Sequence, residues 1–587
     1  MSRRGHHPYK KLSLPELFRL DAFSFFGMAD LLPVEVPEDF TRAKNRNHTG
    51  KLCPIPADLR FAYGTAGFRY DADLLPFVVF RMGYLAGLRA RELNRAIGLM
   101  ITASHNPAKD NGVKIIDPNG EMLAPEWEKY ASELVNASDD QLPTAVRALE
   151  VQVSSKRLFM CQITFEVETQ RSTSNALVMC AMDSRESGPY LIEAAKAGAA
   201  LMGVACKSYD KLTTPQLHFI VKCQNDPTFG DPTELWYYVR LSDAFKALVK
   251  MGTKPGNSNP SNYSPKLVLD CANGVGAEKM RKMCEFLSPD LLNVEFRNEN
   301  GELNHQCGAD FVKIGQELPS GFDDVDVTTK CASFDGDADR LIYFRSIGDE
   351  NRICLFDGDF MATLLAKYIK ETLAEAGISA LTVGVVQTAY ANGNSTAYLR
   401  DVVGITPVCV PTGVKHLHHA AQKFDIGIYF EANGHGTVVF SEKFNQLIRK
   451  GDHANEAVKR LHYLSLVIND VVGDAIADLL VIEVLLRWYG YSLQDWETAL
   501  YKYAPTIQIK IPVADRSRYK TTYEETILLE PKGVQEQIDD LVNSFEGARA
   551  FVRPSGTENI VRVYAEAQYD NEAAWLANGI VEILRKL

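Results

Sequence analysis

Residues 77–96 (FVVFRMGYLAGLRARELNRA) place apolar side chains at helical spacing, and IGLMIT (97–102) follows as an unbroken apolar run. The first pattern predicts a helix with a broad buried face, the second a buried strand. The same grammar recurs downstream. KLVLDCANGVGAEKMRKMCEFL (266–287) reads as strand, Gly-rich turn and helix, and LTVGVVQTAYANGNSTAYLRDV (381–402) repeats it. The passage from Thr406 through KFDIGIYF (423–430) repeats it again. Such alternation predicts parallel or mixed sheets covered by helices. The C-terminal part differs: RAFVRPSGTENIVRVYAEA (549–567) reads as two strands around a loop, and NEAAWLANGIVEILRKL (571–587) as a closing helix. The expected fold class is α/β, with three related mixed-sheet α/β domains and a smaller C-terminal α+β domain. Polar, Pro-rich TKPGNSNPSNYSP (253–265) and the stretch 490–495 are candidate linkers, while 141–176 has no clean period. The expected division is an N-terminal extension outside the pattern over 1–54, then domains at 55–230, 231–352, 353–490 and 491–587.

Composition narrows the class. A chain of 587 residues is several times the prior of about 150 residues per domain. Its 63 Lys+Arg against 75 Asp+Glu leave a net charge of −12, which offers no general footprint for a phosphate backbone and argues against nucleic-acid binding. A small anion remains compatible, because local basic groups override the mean field. The eleven cysteines are scattered without a CxxC, so neither a zinc knuckle nor a redox pair is signalled, and the pattern fits a reducing compartment. No apolar run approaches the ~18 residues of a membrane span, and the stretch 17–32 is broken by Arg19, Asp21 and Asp30, unlike a secretory core. Arg3, Arg4, Lys10 and Lys11 with acidic residues close behind fit a nonessential extension, or a start at Met28, better than a transit peptide. The expected location is cytoplasmic.

Four polar loops carry the chemistry. The first, Thr102-Ala103-Ser104-His105-Asn106-Pro107, follows a strand, where α/β domains place ligands. There is no GxSxG, and sequence neighbours rarely reach nucleophile–base geometry, so a serine that carries a phosphoryl group suits this loop better than a hydrolase triad. Taken alone, Ser104 is an ordinary turn serine. Lys114, in Asp110-Asn111-Gly112-Val113-Lys114, is a candidate proton-transferring amine. The second loop is Asp335-Gly336-Asp337-Ala338-Asp339-Arg340. An EF-hand would need Gly at its sixth position and Glu at its twelfth, where this chain has Arg340 and Ser346. Three hard oxygen ligands on a short loop leave room for water and a phosphate oxygen, which suits Mg²⁺, and Arg340 adds a fork for the phosphate.

The third loop is Glu431-Ala432-Asn433-Gly434-His435-Gly436. Glu431 can accept from two sugar hydroxyls, Asn433 can donate and accept, and Gly434 lets the backbone approach, though Asn-Gly is also a common turn pair. Upstream, in Thr412-Gly413-Val414-Lys415-His416-Leu417-His418-His419, the imidazoles read as helix-face polar groups, since no HExxH accompanies them. The fourth loop is Arg553-Pro554-Ser555-Gly556-Thr557-Glu558 with Arg562 nearby, a nest suited to a phosphate dianion. Neither a Walker A nor a strand–GxGxxG–helix fingerprint is present, which counts against NTP-driven kinases and dinucleotide enzymes. One substrate fits all four loops: a phosphosugar whose phosphate is exchanged with the enzyme.

With TASHNP, DNGVK, SFDGDADR, TGVKHLHH, EANGHG and FVRPSGTE in this order, the chain resembles the α-D-phosphohexomutase superfamily from about Phe61 to its C-terminus. GTAGFR (64–69), DNGVK, TGVKHLHH and EANGHG together resemble its acetylglucosamine branch. The resemblance implies four domains around a central cleft, the last one mobile. It implies Ser104 as the phosphoserine, with Asp335, Asp337, Asp339 and a Ser104 phosphate oxygen on one Mg²⁺, and Lys114 as general base. His105, Arg69 and Arg340 would surround the transferring phosphate. Thr412, Gly413, Glu431, Asn433 and Gly434 would meet the sugar, and Arg553, Ser555, Gly556, Thr557 and Arg562 the non-reacting phosphate. AMDSRES (181–187) departs from the family pattern, keeping Asp183 and Arg185 but lacking a further Arg. The implied reaction interconverts N-acetylglucosamine 6-phosphate and 1-phosphate through a 1,6-bisphosphate intermediate that also serves as activator, on the way to UDP-N-acetylglucosamine. No nucleic-acid or membrane partner is expected, and the implied assembly is a monomer or weak homodimer. A phosphoglucomutase or phosphomannomutase, a metal-dependent phosphatase and a non-catalytic phosphosugar-binding protein remain as alternatives.

Overall fold

The computed structural model describes residues 36–64, 66–161, 175–255, 261–348, 351–556 and 559–587, with backbone alone for 154–161. Most of the expected N-terminal extension, part of the unperiodic 141–176, part of the linker 253–265, and Thr557 with Glu558 therefore lie outside the described residues.

Among the described residues three mixed sheets succeed each other along the chain, followed by a three-stranded antiparallel sheet with a two-stranded antiparallel pair, Lys520–Thr521 and Leu528–Glu530, between its strands in sequence. In the first, Ala96–Ile101 lies parallel to Leu177–Met182, which is parallel to Ala205–Lys211, while Asp110–Ile116 and Phe68–Asp71 complete the other edge antiparallel. In the second, Lys266–Asp270 pairs in parallel with Asn293–Arg297 and Cys331–Phe334, and Leu341–Ser346 and Ile353–Phe356 follow as antiparallel hairpins. The third pairs Val383–Gln387 in parallel with Val408–Cys409 and Ile426–Phe430, then Gly436–Phe440 antiparallel. Central strands such as Ala96–Ile101, Cys331–Phe334 and Ile426–Phe430 are buried throughout, as continuous apolar runs covered on both faces require. The C-terminal sheet is antiparallel, in the order Thr506–Pro512, Ile560–Glu566, Arg549–Pro554, and buries Val552, Val561 and Val563 against helices Val534–Val542 and Asp570–Leu584. These are the mixed α/β domains and the α+β end that the polar and apolar pattern predicts.

The first structural correction concerns the expected extension. From Glu38 onward the chain belongs to one compact unit with everything that follows. Asn45 is wholly buried; its Nδ2 donates to the carbonyls of Cys53 (3.0 Å) and Asp73 (2.8 Å), and its Oδ1 accepts from the Phe77 N–H (3.1 Å). That last bond satisfies an orphan donor at the start of helix Pro76–Leu93, which has no side-chain cap of its own. Residues 38–54 lack periodicity because polar anchors, not an apolar face, hold them. Likewise part of the unperiodic segment is a helix, Leu142–Cys161, with Leu142, Val146, Leu149 and Val153 buried.

Candidate active site

Strand Ala96–Ile101 ends directly before the serine loop, and the chain turns there through Ser104, whose φ of 50° is left-handed. Bonds from four directions hold this unfavoured conformation. The Ser104 N–H donates to Thr102 Oγ1 (2.9 Å), and Thr102 Oγ1 donates to Asp183 (2.7 Å). The Ser104 carbonyl accepts from Arg185 Nη2 (3.0 Å) and from Asn304 Nδ2 (2.9 Å), and both donors also reach the carbonyl of Asn106 (2.8 and 2.9 Å). Arg185 is itself fixed by an ion pair with Asp183. Finally, Ser104 Oγ donates to Asp335 Oδ2 at 2.6 Å. The serine loop of the first sheet and the aspartate loop of the second thus meet at one hydroxyl.

The aspartate loop turns between strands Cys331–Phe334 and Leu341–Ser346, with Ala338 at φ 55°. One oxygen of Asp335 accepts the N–H groups of Asp339 (3.0 Å) and Arg340 (3.2 Å), which curls the loop back on itself. Asp335, Asp337 and Asp339 each bring a carboxylate oxygen within 4.8 Å of the others, and all three are buried. Burial and the two neighbouring carboxylates push the Asp335 carboxyl well above its usual range. Burial also opposes ionisation of Asp339, but His435, Lys114 and Arg340 outweigh it and hold that carboxyl well below. Lys114, on strand Asp110–Ile116, places Nζ 3.5 Å from Asp337 and 3.8 Å from Asp339. Asp337 also accepts from Thr214 Oγ1 at 2.5 Å.

A divalent cation fits these residues. Asp337 Oδ1 and Asp339 Oδ1 are buried with no hydrogen-bond partner, beside two other carboxylates. Buried oxygens left so are costly unless something positive meets them. Around them stand Arg69 and Arg340, whose Nε atoms are also buried and make no hydrogen bond, Arg340 Nε lying 3.9 Å from Asp339 Oδ1. Arg340 pairs with Asp310 at 2.5 Å, and Asp310 lies 3.9 Å from His105 Nε2. Burial, with Arg340 and Arg69 close by, pushes the His105 imidazole down to about 3, so it is neutral at ordinary pH.

The Glu431–Gly436 loop is joined to this centre at two points. The Leu341 N–H donates to the Gly434 carbonyl (3.2 Å), and His435 Nδ1 bonds the Asp339 carbonyl at 2.7 Å and lies 3.5 Å from its carboxylate. Gly434 is required there: its φ is 85°, and a Cβ would fall 2.0 Å from the Leu341 carbonyl oxygen. Asn433 Nδ2 donates to Glu431 Oε2 (3.2 Å), so the two expected hydroxyl partners are held side by side.

The fourth loop makes a second cluster. Arg553 and Arg562 face each other in register across adjacent strands, and Arg553 lies over the Tyr390 ring, 5.7 Å from guanidinium carbon to ring centroid. The Ser555 carbonyl accepts from Arg516 (2.8 Å), and no atom of the described residues crowds Gly556. Thr412, just before the Gly413 that opens helix Val414–Ala421, is brought to Arg553 by a residue the sequence reading did not assign. Glu525 Oε2 accepts from the Thr412 N–H (2.9 Å) and hydroxyl (2.6 Å), and both Glu525 oxygens accept from Arg553 Nη1 (3.1 Å each).

The structure thus gathers Ser104, His105, Lys114, Arg69, Asp335, Asp337, Asp339 and Arg340 into one centre, with Gly434 bonded against it. Thr412 and Arg553, with Arg562 alongside, form another. Thr557 lies outside the described residues. Asn304, Asp310, Thr214, His435 and Glu525 are the additional residues. His435 alone sat inside a quoted motif, between two glycines after a strand, and that placement was a usable signal. His418 bonds Tyr429 and Glu121 on helix Val414–Ala421, as the helix-face reading predicts.

Four family models match: "Phosphoacetylglucosamine mutase AMG1, domain III" over residues 357–491 and its domain II over 231–342, and the phosphoglucomutase/phosphomannomutase alpha/beta/alpha domain I over 85–142 and C-terminal domain over 509–583. The chain is similar to the phosphoacetylglucosamine mutases of Sus scrofa (46% identity, 89% of this chain and 93% of the relative) and Candida albicans (42%, 91% and 97%). Among solved structures, it resembles Aspergillus fumigatus N-acetylphosphoglucosamine mutase in complex with GlcNAc-6P and magnesium. There the TM-score is 0.81 at 41% identity, over 90% of this chain and 97% of that one. A second, described as N-acetylglucosamine-phosphate mutase of the alpha-D-phosphohexomutase superfamily in its product complex, matches with the same figures.

Proposed function

The chain belongs to the phosphoacetylglucosamine mutases of the α-D-phosphohexomutase superfamily, and from that premise we propose that it interconverts N-acetylglucosamine 6-phosphate and N-acetylglucosamine 1-phosphate. The bisphosphorylated sugar is both intermediate and activator, and the product class serves UDP-N-acetylglucosamine formation. Relatives hold GlcNAc-6P with magnesium, and glucose 1,6-bisphosphate. The observation that carries this reading is the 2.6 Å bond from Ser104 Oγ to Asp335 inside the three-carboxylate group.

Ser104, once phosphorylated, gives its phosphoryl group to the free hydroxyl of the bound monophosphate, and that hydroxyl's proton passes to Lys114 in its neutral amine form, the ammonium proton having first left to solvent. The bisphosphate turns over, its other phosphoryl group returns to Ser104, and the isomeric monophosphate leaves. Arg340 and Arg69 counter the charge spread over the transferring oxygens. Neutral His105, next to Asp310, supplies a hydrogen bond without adding charge. When bound by Asp335, Asp337, Asp339 and a Ser104 phosphate oxygen, Mg²⁺ supplies further charge neutralisation. Glu431 and Asn433 hold sugar hydroxyls in either orientation. Arg553, Arg562, Ser555, Gly556 and Thr557 grip the phosphate that is not reacting, while Thr412 and Gly413 meet the sugar ring.

All four loops come from one chain, which supports a monomer or weak homodimer. Among the described residues no helix is long and apolar enough to cross a membrane. The described cysteines are free thiols, and this supports a cytoplasmic location. A coupled mutase assay on acetylated and unacetylated hexose 6-phosphates, with intact-mass measurement of the phosphoenzyme, tests the reading. Higher kcat/KM for glucose 6-phosphate, or release of free phosphate without isomer, would overturn it.

A further inference from the structure

One side chain holds two groups that the proposed function assigns to substrate. Glu525 sits in the turn between the short strands Lys520–Thr521 and Leu528–Glu530. Its φ is 60°, a conformation that costs energy for a residue with a Cβ and so needs compensating contacts. Those contacts are the ones a bound anion would make. The carboxylate takes the Thr412 N–H and hydroxyl with one oxygen, and the Arg553 guanidinium with both. Arg562 stands opposite Arg553 in register, and Lys510 stands opposite Arg562 on the far strand, so three cations share one row of the sheet, and Glu525 meets the one at its end. Arg553 Nε stays buried without a partner, so Glu525 does not exhaust the cradle's donors.

We propose that Glu525 is the resident anion of the cradle: it occupies Arg553 and Thr412 in the free enzyme and is displaced by the sugar's non-reacting phosphate. Substrate entry is then an exchange of one anion for another. A phosphate dianion offers more charge and more acceptor oxygens than a carboxylate, so the exchange runs forward while remaining reversible. Reversibility suits an intermediate that must leave the cradle, turn and re-enter it. This inference rests on the reading of Arg553 as a phosphate ligand, and it adds a residue that sets affinity without touching the substrate.

The test uses the Ser104→Ala chain without Mg²⁺, so that turnover plays no part, and inorganic phosphate as the probe in titration calorimetry. Adding Glu525→Gln, which keeps the shape and removes the charge, is expected to tighten phosphate binding about tenfold. Glu525→Asp, too short to span Thr412 and Arg553 together, is expected to shift it in the same direction, with melting temperature as the folding control. Unchanged or weaker phosphate binding in Glu525→Gln would overturn the proposal. Arg553→Ala in the same background reports separately on the cradle: if it leaves phosphate binding unchanged, the phosphate assignment of Arg553 fails, whatever Glu525 does. With Ser104 restored, Glu525→Gln is expected to lower KM for N-acetylglucosamine 6-phosphate without raising kcat. A merely structural latch predicts a higher KM.

Discussion

The serine–aspartate centre and the arginine cradle, both of which we propose to handle phosphate, are built in opposite ways. Ser104 itself is held from several sides, since Thr102, Arg185, Asn304 and Asp335 all bond it, and His435 of the third sheet bonds Asp339 beside it. The centre's buried oxygens Asp337 Oδ1 and Asp339 Oδ1 make no hydrogen bond, and His435 stands 3.5 Å from the second. The cradle instead lies at the end of a three-stranded sheet, with a turn glycine that no described atom crowds and a carboxylate from its own chain on Arg553. The difference follows from what each must do. Phosphoryl transfer is sensitive to sub-ångström placement, so its groups are fixed before the substrate arrives. On the proposed reading, the non-reacting phosphate has only to be held and released, twice per turnover, and a donor set already occupied by a displaceable anion does that without desolvating bare arginines.

The contrast can be broken experimentally, starting where the effect is largest. Ser104→Ala is expected to lower turnover at least roughly 10³-fold, with the phosphoprotein mass absent, because no neighbouring hydroxyl shares its position. Retained bisphosphate-dependent turnover would dismantle the centre as described. Asp337→Asn should raise the half-saturating Mg²⁺ concentration by about 10²-fold, read from activity against metal after chelation of the wild-type protein. An unchanged metal requirement would remove Asp337 from the ligand set. Arg553→Ala belongs to the other region and should act differently, raising KM for the sugar phosphate by about 10- to 100-fold with a smaller loss in kcat. If it depressed kcat and left KM alone, the cradle would be part of the chemistry and the contrast would vanish. The smallest effect is expected from Asn304→Ala, about tenfold in kcat with KM little changed, since the side chain positions the serine loop and touches no substrate.

What the sequence revealed follows the same divide between local and distant. The strand ends, the serine, the three aspartates and the glycine-bearing loops announce themselves because turn chemistry and carboxylate spacing are local. Asn304 could not announce itself: it reaches the Ser104 carbonyl from two hundred residues away, and its own neighbourhood, ENGELNHQCGAD, reads as an ordinary polar turn. Asp310 and Glu525 are hidden for the same reason, each meaningful only beside an arginine from another element. Residues 38–54 were hidden differently. Arg42 and Asn45 bury polar groups in bonds to backbone carbonyls, and such anchoring leaves no period to detect.

The left-handed backbone at Ser104 also bears on how this active site could change over time. Threonine offers the same hydroxyl, yet its branched Cβ makes a positive φ a steric outlier. A drift from serine to threonine, neutral on many protein surfaces, is closed at this position by backbone geometry before any demand of the reaction is considered. The identity of the proposed phosphoserine is therefore inherited together with the turn that presents it.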